Sequence, residues 1–252
     1  MLRPIKRLGQ NFLRDPNTIR RIADAVEAGQ EDPVIEIGPG TGALTAELLD
    51  RYPRLTALEV DERAVDLLRE TYPALDVRLA DVLETDWSQV SQEKAGRLHV
   101  VGNLPYYITS PILFSLFDAF EHIERAVVMM QLEVAERLVA EPRTKAYGIL
   151  SVVTQLYTQP SVLFRVSRHV FYPKPDVTSA VVALAFDPEP AWASEVDPAW
   201  LRRVIRQAFN MRRKTLRNSL KPLGRAVPEA FSRRRAEELT PGEFVELAAL
   251  LV

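Results

Sequence analysis

Through the first two-thirds of the chain, short β-rich apolar runs take turns with amphipathic stretches. The run 34–37 is followed by a helical pattern over 43–49, and 55–60 by a helix from about Arg63. The run 77–79 comes next; then 98–101 precedes a helix from about Pro111, and 126–130 a helix from about Leu132. Alternation at this spacing predicts a parallel sheet with helices on both faces. Ahead of it, Asp15 and Pro16 read as an N-cap and first helical residue, opening a helix to about Ala28. Behind it, 148–157 predicts another helix, and the β-rich segments 162–166 and 178–186 are near enough in sequence to close the sheet as an antiparallel pair. Two prolines within residues 187–190 break either period and mark the expected linker. Beyond them 200–209, 214–220 and 242–251 read as helices. The expected organisation is an α/β domain over 1–187, with a basic tail at 1–14, and a small all-α domain over 191–252.

Composition narrows the chemistry. The chain has 252 residues and no cysteine, which excludes disulfides, thiolate metal sites and cysteine nucleophiles. Three histidines, His99, His122 and His169, are too scattered to suggest a zinc site, and no metal is expected. The first residues lack the apolar core of a signal peptide and no run of membrane-spanning length follows, so a soluble, cytoplasmic protein without a membrane partner is expected. Charge is unevenly spread. Residues 1–187 carry 20 basic and 26 acidic side chains, residues 188–252 carry 12 and 8, and all twelve of those bases lie within 202–235. Six further bases precede residue 22 against Asp15 alone. Such clustering fits a polyanion partner, and it fits two solvated helical faces as well.

Candidate chemistry sits at strand ends, where an open parallel sheet binds its ligands. Gly38-Pro39-Gly40-Thr41-Gly42 follows the first strand, and its spacing is not that of a dinucleotide-binding loop. Glu36 lies just inside that strand end. Glu59 ends the second strand, where a carboxylate can accept two ribose hydroxyls. Asp81 ends the third; its carboxylate, or the neighbouring amide at Val82, suits an adenine ring. Three acids with few cations disfavour a pyrophosphate and suit a phosphate-free ligand bearing a positive sulfonium, although another nucleotide binder remains the alternative on these residues alone. After the fourth strand comes Asn103-Leu104-Pro105-Tyr106. The Asn103 side-chain oxygen and the Leu104 carbonyl can accept the two hydrogens of an exocyclic amine and free its lone pair for alkylation. Pro105 stiffens the loop, and Tyr106 offers a face on which a flipped base stacks, worth about 1–3 kcal/mol.

Val34-Ile35-Glu36-Ile37-Gly38-Pro39-Gly40-Thr41-Gly42 and Leu58-Glu59-Val60-Asp61 together resemble the first two motifs of class I S-adenosylmethionine methyltransferases, a Rossmann-like fold. Asn103-Leu104-Pro105-Tyr106 resembles the signature of enzymes that methylate exocyclic amines. With Gly9-Gln10-Asn11-Phe12-Leu13, the run 171–179 and Asn210-Met211-Arg212-Arg213-Lys214-Thr215-Leu216, nearly the whole chain is similar to the ribosomal RNA adenine N6,N6-dimethyltransferases and their relatives, the erythromycin-resistance methylases. That resemblance implies S-adenosylmethionine as methyl donor, contacted by Asn11, Leu13, Gly38, Glu59, Asp81 and Asn103, with Gly40 and Val82 beside them. It implies a base pocket lined by Tyr106 and Phe171, and an RNA surface for which Arg202, Arg206, Arg212, Arg213, Lys214 and Arg217 are the candidates. The implied reaction is dimethylation of two adjacent adenosines in the 3′-terminal hairpin of small-subunit ribosomal RNA, on an immature subunit, by a monomer. A resistance-type methylase of the large-subunit RNA, or an RNA-binding assembly factor with methylation secondary, are the alternatives.

Overall fold

In the computed structural model, which describes residues 2–252 (Met1, at the head of the expected basic tail, lies outside them), the alternation becomes one seven-stranded sheet. The chain runs β1 (Phe12–Leu13), α1 (Pro16–Asp24), β2 (Val34–Ile37), α2 (Ala43–Leu49), β3 (Leu55–Glu59), α3 (Glu62–Thr71), β4 (Asp76–Leu79) and α4 (Trp87–Lys94). It continues through β5 (Leu98–Asn103), α5 (Thr109–Asp118), β6 (Ile123–Gln131), α6 (Leu132–Leu138), α7 (Ile149–Tyr157), β7 (Thr158–Val166), β8 (Phe171–Tyr172) and β9 (Ser179–Phe186). Four helices follow: α8 (Pro198–Asn210), α9 (Leu216–Ser219), α10 (Glu229–Ser232) and α11 (Pro241–Leu250).

The strand order is β4-β3-β2-β5-β6-β9-β7. The pairs from β4 to β6 are parallel, and β9 runs antiparallel to β6, from Arg125 opposite Ala185 to Gln131 opposite Ser179. The two late β-rich segments are thus neighbours, and β6 is the strand against which β9 reverses. Order reverses between β2 and β5, which opens a crevice at their carboxyl ends. Every residue of β2 and β3 is buried, as befits strands covered on both faces.

Local chemistry explains most element ends. The Asp15 carboxylate caps α1 by accepting from the Thr18 amide at 2.7 Å, and Ile19, Ile22 and Ala23 turn inward. The helix stops at Asp24, short of the expected Ala28, because the chain turns there and Glu27 takes a φ of 53°. α4 was invisible to the alternation: Asp86 caps it, and only Trp87 and Val90 are buried, too few for a period.

The chain divides into two compact units, the first holding residues up to Ala135 and 161–188, the second holding 136–160 and 189–252. The linker expected at 187–190 contains one crossing, and the chain crosses twice more. The reason lies in the apolar face of α7, where Val152, Val153, Leu156 and Tyr157 are buried and pack with α8 and α11. Within that second unit the Tyr147 hydroxyl donates to the Leu239 carbonyl at 2.7 Å, and Trp192 Nε1 donates to the Leu156 carbonyl at 2.8 Å. The core of the first unit gathers Ile22, Leu48, Leu68, Val101, Val127, Met129 and Val181 around the sheet.

Candidate active site

At the carboxyl end of β2 the chain bends through glycines with positive φ before α2 begins. Gly40 has φ 57°, and a Cβ there would lie 2.9 Å from the Phe12 ring, so no other residue fits without displacing that side chain. The bend aims the Gly40 amide at Glu59 Oε2, 3.0 Å away, while the Val60 and Asp61 amides donate to Oε1 at 2.9 Å each. Three backbone donors fix the Glu59 carboxylate at the end of β3. Burial pushes its pKa up, and the three amides oppose that shift. Glu36, 1% exposed, accepts from Thr45 Oγ1 at 2.7 Å. Burial, with the charge of Glu59 adding to it, pushes Glu36 up to about 8. Asp81 follows β4, is exposed, and accepts from the Leu83 amide at 2.9 Å, with Val82 buried beside it.

Asn103 ends β5. The register with β6 continues one residue beyond it, where the Leu104 amide donates to the Met129 carbonyl at 3.0 Å. The Pro105 carbonyl accepts from Thr109 Oγ1 at 3.0 Å, which ties the loop to the start of α5. The Tyr106 hydroxyl lies 2.6 Å from Ser179 Oγ at the start of β9, and burial raises its pKa. Asn103 Nδ2 donates to the Asn11 carbonyl at 2.9 Å. A carbonyl only accepts, so the amide is oriented with Oδ1 as its acceptor end.

Asn11, Leu13, Gly38, Gly40, Glu59, Asp81, Val82 and Asn103, with Leu104, Pro105 and Tyr106, line one cavity of about 250 Å³. Glu36 lines it too. Among the described residues none that lines it is basic, so its polar wall is acids, amides, hydroxyls and backbone. That donor set fits a cationic ligand without phosphates, S-adenosylmethionine included, and disfavours a dinucleotide. Phe171 is placed differently from the expectation. It is 5% exposed, pairs with Leu13 across β1 and β8, belongs to the core and does not line the cavity. Gly9, Gln10 and Tyr107 do line it and were not singled out from the sequence. The signal was present only as neighbours of Asn11 and Tyr106 within their motifs.

The bases of the second unit divide by what they touch. Arg206, Arg213, Lys214 and Arg217 are exposed. Arg202 is half-buried, and burial followed by repulsion from Arg206 lowers its pKa. Arg212 pairs with Glu237 at 2.7 Å and donates to the Thr144 and Lys145 carbonyls at 3.2 and 3.1 Å. Its guanidinium ties the turn after α8 to the segment 141–147, while the residue itself is exposed. Among the described residues, no group of three His, Asp or Glu could hold a metal ion, and no helix is long and apolar enough to cross a membrane.

Comparison with known proteins bears on this geometry. The sequence model of the family described as "Ribosomal RNA adenine dimethylase" matches residues 2–249. "Ribosomal RNA small subunit methyltransferase A" of Salinibacter ruber is 53% identical over 251 residues, 98% of this chain and 84% of the relative. The protein of the same description from Moorella thermoacetica is 44% identical over 267 residues, 98% of this chain and 92% of its own length. Among solved structures, a dimethyladenosine transferase from Plasmodium falciparum superposes with a TM-score of 0.79 at 25% identity, covering 94% of this chain and 95% of that one. The 23S rRNA methyltransferase ErmE gives 0.71 at 30% identity, covering 96% and 99%.

Proposed function

The chain belongs to the ribosomal RNA adenine dimethylase family, and on that premise we propose that it dimethylates N6 of two adjacent adenosines in the 3′-terminal hairpin of small-subunit ribosomal RNA. The observation that carries this reading is the Asn103 amide, held by the Asn11 carbonyl with its oxygen as acceptor, beside an acid-lined cavity. When bound, S-adenosylmethionine supplies a methyl carbon on a positive sulfonium. Glu59 and Asp81 are the proposed anchors for its ribose and adenine, and Glu36 and Glu59 make the cavity electrostatically suited to a cation. Asn103 Oδ1 and the Leu104 carbonyl accept from the target amino group, so its lone pair points out of conjugation toward the methyl carbon. A new N–C bond forms as the C–S bond breaks, and the nitrogen, now strongly acidic, gives its proton to water. No general base is required, and the proposed acting form is a single chain working without a metal in the cytoplasm. Tyr106, fixed through Ser179, is the proposed stacking face for the flipped base. Exposed Arg206, Arg213, Lys214 and Arg217 are the proposed phosphate-binding bases.

The likeness to ErmE favours a second reading, methylation of the large-subunit RNA. Near-full-length relatives at 44% and 53% identity described as small-subunit enzymes weigh against it. Incubation with methyl-labelled donor, immature small subunits and, separately, large-subunit RNA, followed by mapping of the label, decides between them. Two adjacent N6-dimethyladenosines in the small subunit are expected. Label confined to large-subunit RNA overturns the proposal, and donor binding without any label leaves the assembly factor.

A further inference from the structure

Residues 8–13 form one wall of the cavity, where the chain leaves a short 3-10 helix (Lys6–Leu8), turns at Gly9 with φ 60° and enters β1. Gly9 lies against Tyr107, whose ring would sit 3.0 Å from a Cβ added there. Gln10 Nε2 donates to Asp61 Oδ2 at 2.9 Å. The Asn11 carbonyl takes Asn103 Nδ2, and the Phe12 ring lies on Gly40. Gly9 and the Asn11 carbonyl therefore meet the end of β5 and the loop after it, while Gln10 and Phe12 meet the loops after β3 and β2. The segment bridges the donor side of the cavity and the reacting side.

Gln10 is the polar fastening of this bridge. Its Oε1 accepts from the Ile5 amide at 2.8 Å while Nε2 donates to Asp61, so it needs one acceptor and one donor in fixed places. Asp61 is 5% exposed and is held by the Arg63 side chain at 2.6 and 2.9 Å. It also caps α3, so the fastening is anchored in the folded core. Between Gln10 and the reacting loop lies a single residue, Asn11, whose carbonyl sets which end of the Asn103 amide accepts.

We propose that residues 8–13 are a strap whose Gln10–Asp61 hydrogen bond positions the Asn103 oxygen for the target amino group, so that enclosing the donor and orienting the catalytic amide are one event. The inference rests on the functional reading above and makes Gln10 a positioning residue, acting through Asn11 and Asn103. Because the strap lines the donor cavity, it loosens each time spent donor is exchanged, and two dimethylations demand four exchanges.

Hydrogen exchange of the strap amides, read with and without S-adenosylhomocysteine, and steady-state kinetics on immature small subunits test this together. In Gln10→Ala, strap exchange and S-adenosylhomocysteine dissociation should quicken, and kcat at saturating donor should fall, each about tenfold or more, as expected for losing a hydrogen bond to a carboxylate. Gln10→Glu should be impaired likewise, since it sets one carboxylate against another. Unchanged exchange and kcat in Gln10→Ala overturn the proposal. So does a rise in donor KM at unchanged kcat, which describes a cover with no hold on Asn103. If the parent protein methylates no ribosomal RNA, the functional reading falls, and the exchange data still decide whether Gln10 fastens the strap.

Discussion

The two units carry their working charges in opposite ways. In the first, the ionisable groups that face the cavity are acids, and the two buried ones are held by named donors: three amides on Glu59, a threonine hydroxyl on Glu36. In the second, they are bases on long side chains at the surface, and one of them, Arg212, also pairs within its own unit. The difference matches what each is proposed to recognise. A small donor is read by a few atoms whose positions are settled before it arrives, so every atom counts. A phosphate backbone is read by many interchangeable cations, each weakly held and each displaceable by salt.

Three measurements can break that contrast. The largest effect belongs to Asn103→Ala, which removes a preoriented acceptor; single-turnover methylation should fall about 10²–10³-fold. A loss smaller than tenfold would mean that preorientation on this side counts for little. Next is Glu36, whose folded pKa of about 8 lies above the 4.5 of an unburied glutamate. The folded protein therefore holds a proton that the unfolded chain releases, and this contribution to stability, complete below about 4.5, is lost as pH rises through about 8. A cationic donor favours the ionised form, so calorimetry near pH 7 in buffers of different ionisation heat should show proton release on binding S-adenosylmethionine. Glu36→Gln should abolish that release and flatten the decline of thermal stability between about pH 5 and 8. Parent and variant behaving alike would show that Glu36 is not the proton's source. Smallest per residue are Arg213, Lys214 and Arg217. Their triple alanine variant should keep donor affinity and show a salt dependence of RNA binding shallower by about 0.7–0.9 in log–log slope for each phosphate no longer neutralised. An unchanged slope removes these three bases from the RNA-binding surface.

What was legible in the sequence follows the same division. Glu36, Glu59, Asp81 and Asn103 could be placed because a strand's end is set by its period, and the ligand crevice lies at strand ends. The strap was not legible as a device. Gln10 and Asp61 are 51 residues apart, and the segment around Gln10 has no periodicity to align it with β3. The burial of Phe171 was hidden for a related reason: β8 is two residues long, and its pairing with Leu13 is what sets it in the core. Among the bases, charge alone could not separate Arg212 from Arg213, because the distinction rests on where Glu237 and two distant carbonyls lie.

The repeated crossing between units has a consequence for the order in which the protein can be completed as it leaves the ribosome. When residues 136–160 emerge, the sheet of the first unit still lacks β9, the antiparallel partner of β6, and α7 has none of its partners from α8 and α11. Each unit must therefore wait on chain made after the other has begun. A fragment ending at Pro188 is likewise no free-standing catalytic domain, since it carries α7 with Val152, Val153, Leu156 and Tyr157 stripped of α8 and α11. Synthesis, quality control and any attempt to divide the molecule all meet the same fact: the first unit is complete only at Pro188, after the second has begun, and the second only with the C-terminal helices.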